Sequence, residues 1–291
     1  MNIPFYKMTT AWSDTILVNA LSTENFRLPS AREVLHICNR RSGIGGDGIV
    51  FLLEEKEINR KGRGITFRHF SASSGEESVN YGALLSAAKF AFDFGLFHRR
   101  KLTLTIEEQK IEIDGIDSKL FRLDLGLPFQ GEDSWIDEET PLLREIWTPL
   151  AGKTIRYARI SFDRLPRSAQ EVAVVLDRTD EETLFAFSRR MLSEERPVFT
   201  VFPRVLDNGT MDIRFIPEDG YHDSVIESAA AVVAAACEGL LLREVRIPSV
   251  GGDLFINWEG SGNLSVTAIP GYAYTGEFSN VFGEDSDGSF T

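Results

Sequence analysis

Ile213-Arg214-Phe215-Ile216, an acidic loop from Pro217 to Asp223, and the run Ser224-Val225-Ile226-Glu227-Ser228-Ala229-Ala230-Ala231-Val232-Val233-Ala234-Ala235-Ala236 decide the architecture. A short strand pattern feeds a loop, and the loop feeds a helix that is apolar on every side. Such a helix belongs inside a domain, and its small side chains let a sheet approach it closely. Gly239-Leu240-Leu241 and a strand from Val245 to Ile247 follow. The same phrase stands earlier: a strand through Thr66, Phe67, His69 and Phe70, the loop Ser71 to Glu77, a helix from Tyr81 to Phe94, Gly95-Leu96 and a strand from Leu102 to Ile106. Recurrence of a whole supersecondary unit half a chain away predicts two similar halves facing each other across a shared cleft.

The rest of the chain fits that frame. At 291 residues it has length for two cores of ordinary size. Phe5 to Asn19 reads as two strands broken at Thr10 to Asp14. Ser30 with Glu33 is a capping box that starts a helix running to Asn39. Gly43-Ile44-Gly45-Gly46-Asp47-Gly48 leads into a strand from Ile49 to Leu53, so it is not a phosphate loop, which would precede a helix. Strands fill Leu102 to Leu125, and Gly126-Leu127-Pro128 is the crossing between halves. Arg156 to Phe162, Glu171 to Leu176, Val198 to Val205 and Met211 to Ile216 read as strands, with a helix from Asp180 to Leu192 among them. The expected class is α+β: two pseudo-symmetric halves, 1–127 and 128–268, each a curved, mostly antiparallel sheet around a central apolar helix. Ser265 to Phe282 is expected as a last element, 269–282 returning to the first half, and 283–291 as an acidic tail.

Composition narrows the function classes. A net charge of -13 argues against tracking a nucleic-acid backbone, and Arg99-Arg100-Lys101 reads as a solvated turn. No apolar run reaches the ~18 residues of a membrane span, and the first residues lack the order of a secretory signal, which together imply a cytoplasmic protein. Cys38 and Cys237 form no CxxC and no cluster with histidine. Neither a disulfide scaffold nor a metal site is expected, and both thiols read as structural. No cofactor is called for. A small-molecule ligand is the expected partner, and a homodimer stays open.

Together the elements resemble diaminopimelate epimerase and its relatives, among them the phenazine-biosynthesis isomerase, over nearly the whole chain. Tyr6-Lys7-Met8 with Ser13-Asp14 is similar to the family's opening strand and turn, and Gly43 to Gly48 to its glycine-rich signature. Gly239-Leu240-Leu241, Glu244-Val245-Arg246 and Gly251-Gly252 are similar to the run after its second central helix. The resemblance implies catalysis by two opposed cysteines, one at the N-terminus of each central helix, with helix N–H groups holding a substrate carboxylate. At those places this chain has Val79-Asn80-Tyr81 and a position at or near Ile226. Gly82-Ala83-Leu84, Glu227-Ser228, Pro217-Glu218-Asp219 and Pro166-Arg167-Ser168 depart from the family's other motif residues.

These departures move the expected chemistry to carboxylates. Asp223 matches the aspartate before the second helix of the phenazine isomerase, and it is equally a helix N-cap. Glu227 is expected to fold back onto the free N–H groups of its helix, with Glu76 and Glu77 doing likewise in the first half. The plainer reading is favourable charge at a helix start. Asp223, Glu76 and Glu227 are thus the candidate acid and base groups, and Ser13, Asp47, Ser71, Asn80, Tyr81, His222 and Ser228 the candidate ligand-binding groups. Two functions follow: a cofactor-independent isomerase, tautomerase or cyclase without the two-thiol mechanism, or a non-catalytic relative that binds a small molecule or a protein partner.

Overall fold

The computed structural model describes residues 2–23, 26–54, 65–96, 101–106, 109–130, 134–137, 139–148, 152–164, 171–194, 198–215 and 223–279. Expectations for Ile216 to His222, Pro166 to Ser168, Arg99-Arg100 and the tail 283–291 lie outside these residues.

The chain opens with β1 (Asn2–Thr10) and β2 (Ser13–Asn19), a hairpin that turns at Ala11 with a φ of 54°. Next comes α1 (Ala31–Cys38), begun by the expected capping box: Ser30 Oγ accepts from the Glu33 N–H, and the Ser30 N–H donates to Glu33 Oε2 at 2.6 Å. The glycine-rich turn delivers β3 (Gly48–Glu54), followed by β4 (Ile65–Ser71), β5 (Glu77–Ser78), α2 (Tyr81–Asp93), β6 (Lys101–Ile106), β7 (Gln109–Gly115) and β8 (Phe121–Gly126). The crossing carries β9 (Pro128–Gln130), β10 (Ser134–Trp135) and β11 (Arg144–Thr148). Then follow β12 (Lys153–Phe162), β13 (Val172–Val174), α3 (Glu181–Leu192), β14 (Phe199–Asp207), β15 (Thr210–Phe215), α4 (Ser224–Cys237), β16 (Glu244–Ile247), β17 (Leu254–Trp258), β18 (Leu264–Ala268) and β19 (Gly271–Ser279).

Strand pairing follows one pattern twice. Antiparallel β1/β2, parallel β2/β3, antiparallel β3/β4, parallel β4/β6 and antiparallel β6/β7 and β7/β8 are matched in order and direction by β12/β13, β13/β14, β14/β15, β15/β16, β16/β17 and β17/β18. Each parallel pair brackets a helix, as a crossover requires: β2/β3 brackets α1, β4/β6 α2, β13/β14 α3 and β15/β16 α4. Three antiparallel pairings then tie the chain together: β8 with β18, β9 with β12, and β19 with β1.

Two expectations need correction. The element expected from Ser265 to Phe282 is two strands, because Pro270 between them has no N–H for the ladder. Of the pair, β18 stays beside β17 while β19 crosses to β1. The strand β17 was not expected at all, since exposed Phe255 sits on its solvent face and blurs the alternation.

Both α2 and α4 lie in one apolar cluster with residues of the surrounding strands, including Leu102, Ile113, Val174 and Ile256. Along α4 every residue from Ser224 to Ala235 is buried. Alanine is the smallest side chain that keeps helix propensity, so it sets how closely β13, β14 and β17 approach. Replacing Ala234 by leucine should overpack this contact and lower stability by about 1–3 kcal/mol. Thermal or urea unfolding of the pure variant checks it, and an unchanged midpoint would show that the helix has spare room.

Candidate functional site

The N-termini of α2 and α4 meet on one carboxylate. Asp223 is the N-cap of α4, and its Oδ1 accepts from the N–H groups of Val225 at 3.1 Å and Ile226 at 3.4 Å. Its Oδ2 accepts from the N–H of Tyr81, the first residue of α2, at 2.6 Å. In this way α2 receives a cap from the other half of the chain. Its own N-cap, Asn80, uses Oδ1 for the N–H of Ala83 at 2.8 Å and leaves the Tyr81 N–H to Asp223. Ser13 stands beside the same turn: a Cβ on Gly82 would lie 3.3 Å from Ser13 Cβ, so glycine there allows β2 to come in close.

One turn along α4 from Asp223 is Glu227. Asp223 and Glu227 are each 1 % exposed, and Tyr81, Ser224 and Ser228 are buried with them. Burial pushes the Asp223 carboxyl up to about 6, against the pull of its three N–H bonds. Burial, reinforced by the charge on Asp223, holds Glu227 well above the usual carboxylate range. The two carboxyls are thereby set apart, Asp223 at about 6 and Glu227 well above the ordinary carboxylate range. Such a split is what a base and an acid working side by side need.

This arrangement corrects the expected role of Glu227. Of the N–H groups onto which it was expected to fold, those of Val225 and Ile226 are taken by Asp223. Glu76 is also displaced: it is exposed in a loop whose Gly75 packs against the backbone of Ala31, and the first turn of α2 contains no acidic residue. Glu77 pairs with Arg68 on β4. Ser71 ends β4, with its hydroxyl 2.8 Å from that of Ser73. His222 lies outside the described residues. Ser13, Asn80, Tyr81, Asp223, Glu227 and Ser228 are thereby gathered around the two helix starts, and Ser71, Glu76 and Asp47 are not.

Asp47 belongs to a charged staple. Arg40 grips both Asp14 oxygens at 2.8 and 2.6 Å and reaches Asp47 at 2.7 Å, while buried Lys7 pairs with Asp14 at 2.9 Å and donates to the Gly45 carbonyl. The Asp14 N–H also donates to Asp47 Oδ2 at 2.9 Å. Against the cost of burial, the bonds from Arg40 and Lys7 hold Asp14 far below its ordinary range. Burial and the neighbouring Asp14 charge raise Asp47 to about 6. His69, fully buried with Nδ1 3.0 Å from the Ser78 hydroxyl, is pushed down to about 4 by burial and stays neutral. Ser224 is the site residue that sequence reasoning missed; the available signal was its spacing of one turn from Ser228.

No group of three His, Cys, Asp or Glu side chains among the described residues is placed to hold a metal. Nor is any described helix long and apolar enough to cross a membrane.

No family model matches the chain. Diaminopimelate epimerase of Acetivibrio thermocellus is 24% identical over 272 residues, covering 89% of this chain and 92% of that protein. A phenazine biosynthesis protein of the PhzF family from Enterococcus faecalis superposes with a TM-score of 0.59 at 15% identity, covering 96% of this chain and 100% of that one. A probable proline racemase from Agrobacterium radiobacter K84, solved with bound carbonate, gives 0.63 at 10% identity, covering 96% and 93%. The chain has the diaminopimelate epimerase-like fold. Within this epimerase-like fold, Cys38 ends α1 in the core, where burial raises its thiol to about 12. Cys237 ends α4, with its thiol 3.4 Å from the Asp137 carbonyl. Both lie away from the helix starts.

The carboxyl of Asp223 yields a pH signature. Its folded value, about 6, exceeds the ordinary 3.8, so the folded state holds the proton more tightly than the unfolded chain. Its contribution is therefore fully present below about pH 4 and lost as pH rises through about 6. Asp223→Asn should flatten the stability profile across that window, and Asp47, common to both proteins, cancels in the difference. The variant should also be less stable by about 1–3 kcal/mol, because an amide turning one oxygen to Val225 presents N–H to the Tyr81 N–H. Urea unfolding of both proteins from pH 4 to 8 checks this; parallel profiles would place the titration elsewhere.

Proposed function

We propose that the protein is a cofactor-independent isomerase, tautomerase or cyclase acting on a small metabolite where the two central helices begin, without the two-thiol mechanism. The carrying observation is the buried carboxyl pair, Asp223 and Glu227, at the meeting of two helix N-termini. Asp223 would take the proton from an acidic C–H. Glu227 would return one to the neighbouring atom or to the oxygen on which charge develops. The backbone N–H groups on Asp223 orient its carboxylate, and exclusion of water keeps the two protons distinct. Neither step needs a thiol, and the free cysteines stand elsewhere. The epimerase and racemase names among the relatives support proton transfer at carbon as the reaction class.

A second reading, a non-catalytic relative that binds a small molecule or a partner, draws on one observation. Tyr81 and Leu84 in the first turn of α2 are enclosed, at 1 % and 0 % exposed, and the N–H groups of Tyr81, Val225 and Ile226 are already occupied.

Deuterium uptake from D2O into a panel of small ketones, hydroxy ketones and α-substituted acids separates the two. Under the isomerase reading one class of compound exchanges, alkylation of the thiols leaves the rate unchanged, and Asp223→Asn slows it by about 10²–10⁴-fold while the protein stays folded. Diaminopimelate stereoisomers should not interconvert. Full exchange activity in the Asp223→Asn protein would remove Asp223 from the mechanism. Uptake into no compound of the panel would favour the binding reading.

A further inference from the structure

We propose that the ligand of this junction is an uncharged carbonyl compound, carrying no carboxylate of its own. The inference takes the site from the isomerase reading and adds to it the class of ligand.

Three observations converge. First, the backbone donors that a substrate carboxylate would use are spent within the chain: the N–H groups of Tyr81, Val225 and Ile226 all point to Asp223. A second carboxylate would find an anion already in place. Second, the buried charged groups here are Asp223 and Glu227, both acidic. Lys7, the buried cation among the described residues, is committed to Asp14 and to the Gly45 carbonyl. An anion entering this site would lose its hydration and meet the charge of Asp223, with no buried lysine or arginine among the described residues left to receive it. Third, Ser224 and Ser228, 1 % and 0 % exposed and one helical turn apart, have hydroxyls with no hydrogen-bond partner among the described residues. Buried hydroxyls are seldom left unpaired, and each can donate to a carbonyl or accept from a hydroxyl of a neutral ligand. Ser224 opens the helix that Asp223 caps, and Ser228 follows Glu227, so both belong to the turn that carries the carboxyl pair.

Matched probes test the class: pyruvamide against pyruvate, and methyl acetoacetate against acetoacetate, read at pH 7.5 as a melting temperature that rises with probe concentration. The expected result is apparent binding of the neutral member at least tenfold tighter than that of its carboxylate. In Asp223→Ala the released N–H groups should reverse the order, with carboxylate binding gained by at least tenfold. If that variant does not fold, Asp223→Asn serves instead, and the preference for the neutral member should narrow severalfold as the anion is removed. Equal or tighter binding of the carboxylate by the parent protein overturns the proposal, as does stabilisation by neither neutral probe. Deuterium exchange on the same samples separates this inference from the isomerase reading. Neutral probes that bind without exchanging leave the ligand class standing and remove the catalysis; exchange confined to the carboxylates does the reverse.

Discussion

Two helices aim their positive ends at one point, and a single aspartate receives both. An unfilled helix start leaves several N–H groups without partners, and two such starts brought together without an anion would repel each other. Asp223 answers both demands, with one oxygen for its own helix and the other for Tyr81 across the molecule. The relative placement of α2 and α4 is tied to the length of one side chain. The apolar cluster around both helices and the β8/β18 pairing fix the halves in the same relation from the outside. Glu227 is secondary to this: burial, reinforced by the charge on Asp223, holds its carboxyl well above the usual carboxylate range.

How far a sequence discloses such a structure depends on the range of each interaction. Ser30 and Glu33 lie three residues apart, and their capping box could be read directly. Asp223 as a cap of α4 was equally legible, since its N–H partners are two and three residues away. Its bond to Tyr81 was not, because nothing local marks a partner 142 positions distant. Glu227 shows the same limit from the other side. An acid in a first helical turn ordinarily faces water and favours the dipole; tertiary packing put this one inside and gave the N–H groups to its neighbour. Asp47 sat in a glycine-rich turn that suggested close approach to a ligand, and it closes instead on Asp14 and Arg40.

The staple around Asp14 illustrates what sort of polar burial the fold tolerates. Lys7 is enclosed, yet its charge meets a carboxylate and a carbonyl, and Arg40 meets Asp14 with two parallel hydrogen bonds. Every strong charge there has an opposite beside it. At the helix junction the charge of Asp223 is met by backbone N–H groups from both helix starts. One molecule thus contains two ways of burying an acid, one by counter-charge and one by backbone dipoles.

The pairing of β1 with β19 sets Tyr6 against Thr275. During synthesis on the ribosome, β1 emerges early and can form its hairpin with β2, but its other edge has no partner until β19 has been made. Through that interval the nascent chain carries an open ladder of N–H and C=O groups of the kind that recruits stray strands. The sheet is completed at its first strand by its last, the reverse of the order in which the chain is made. Contacts of such sequence separation make folding slow, and β1 keeps an unpaired edge for as long as translation takes to reach β19.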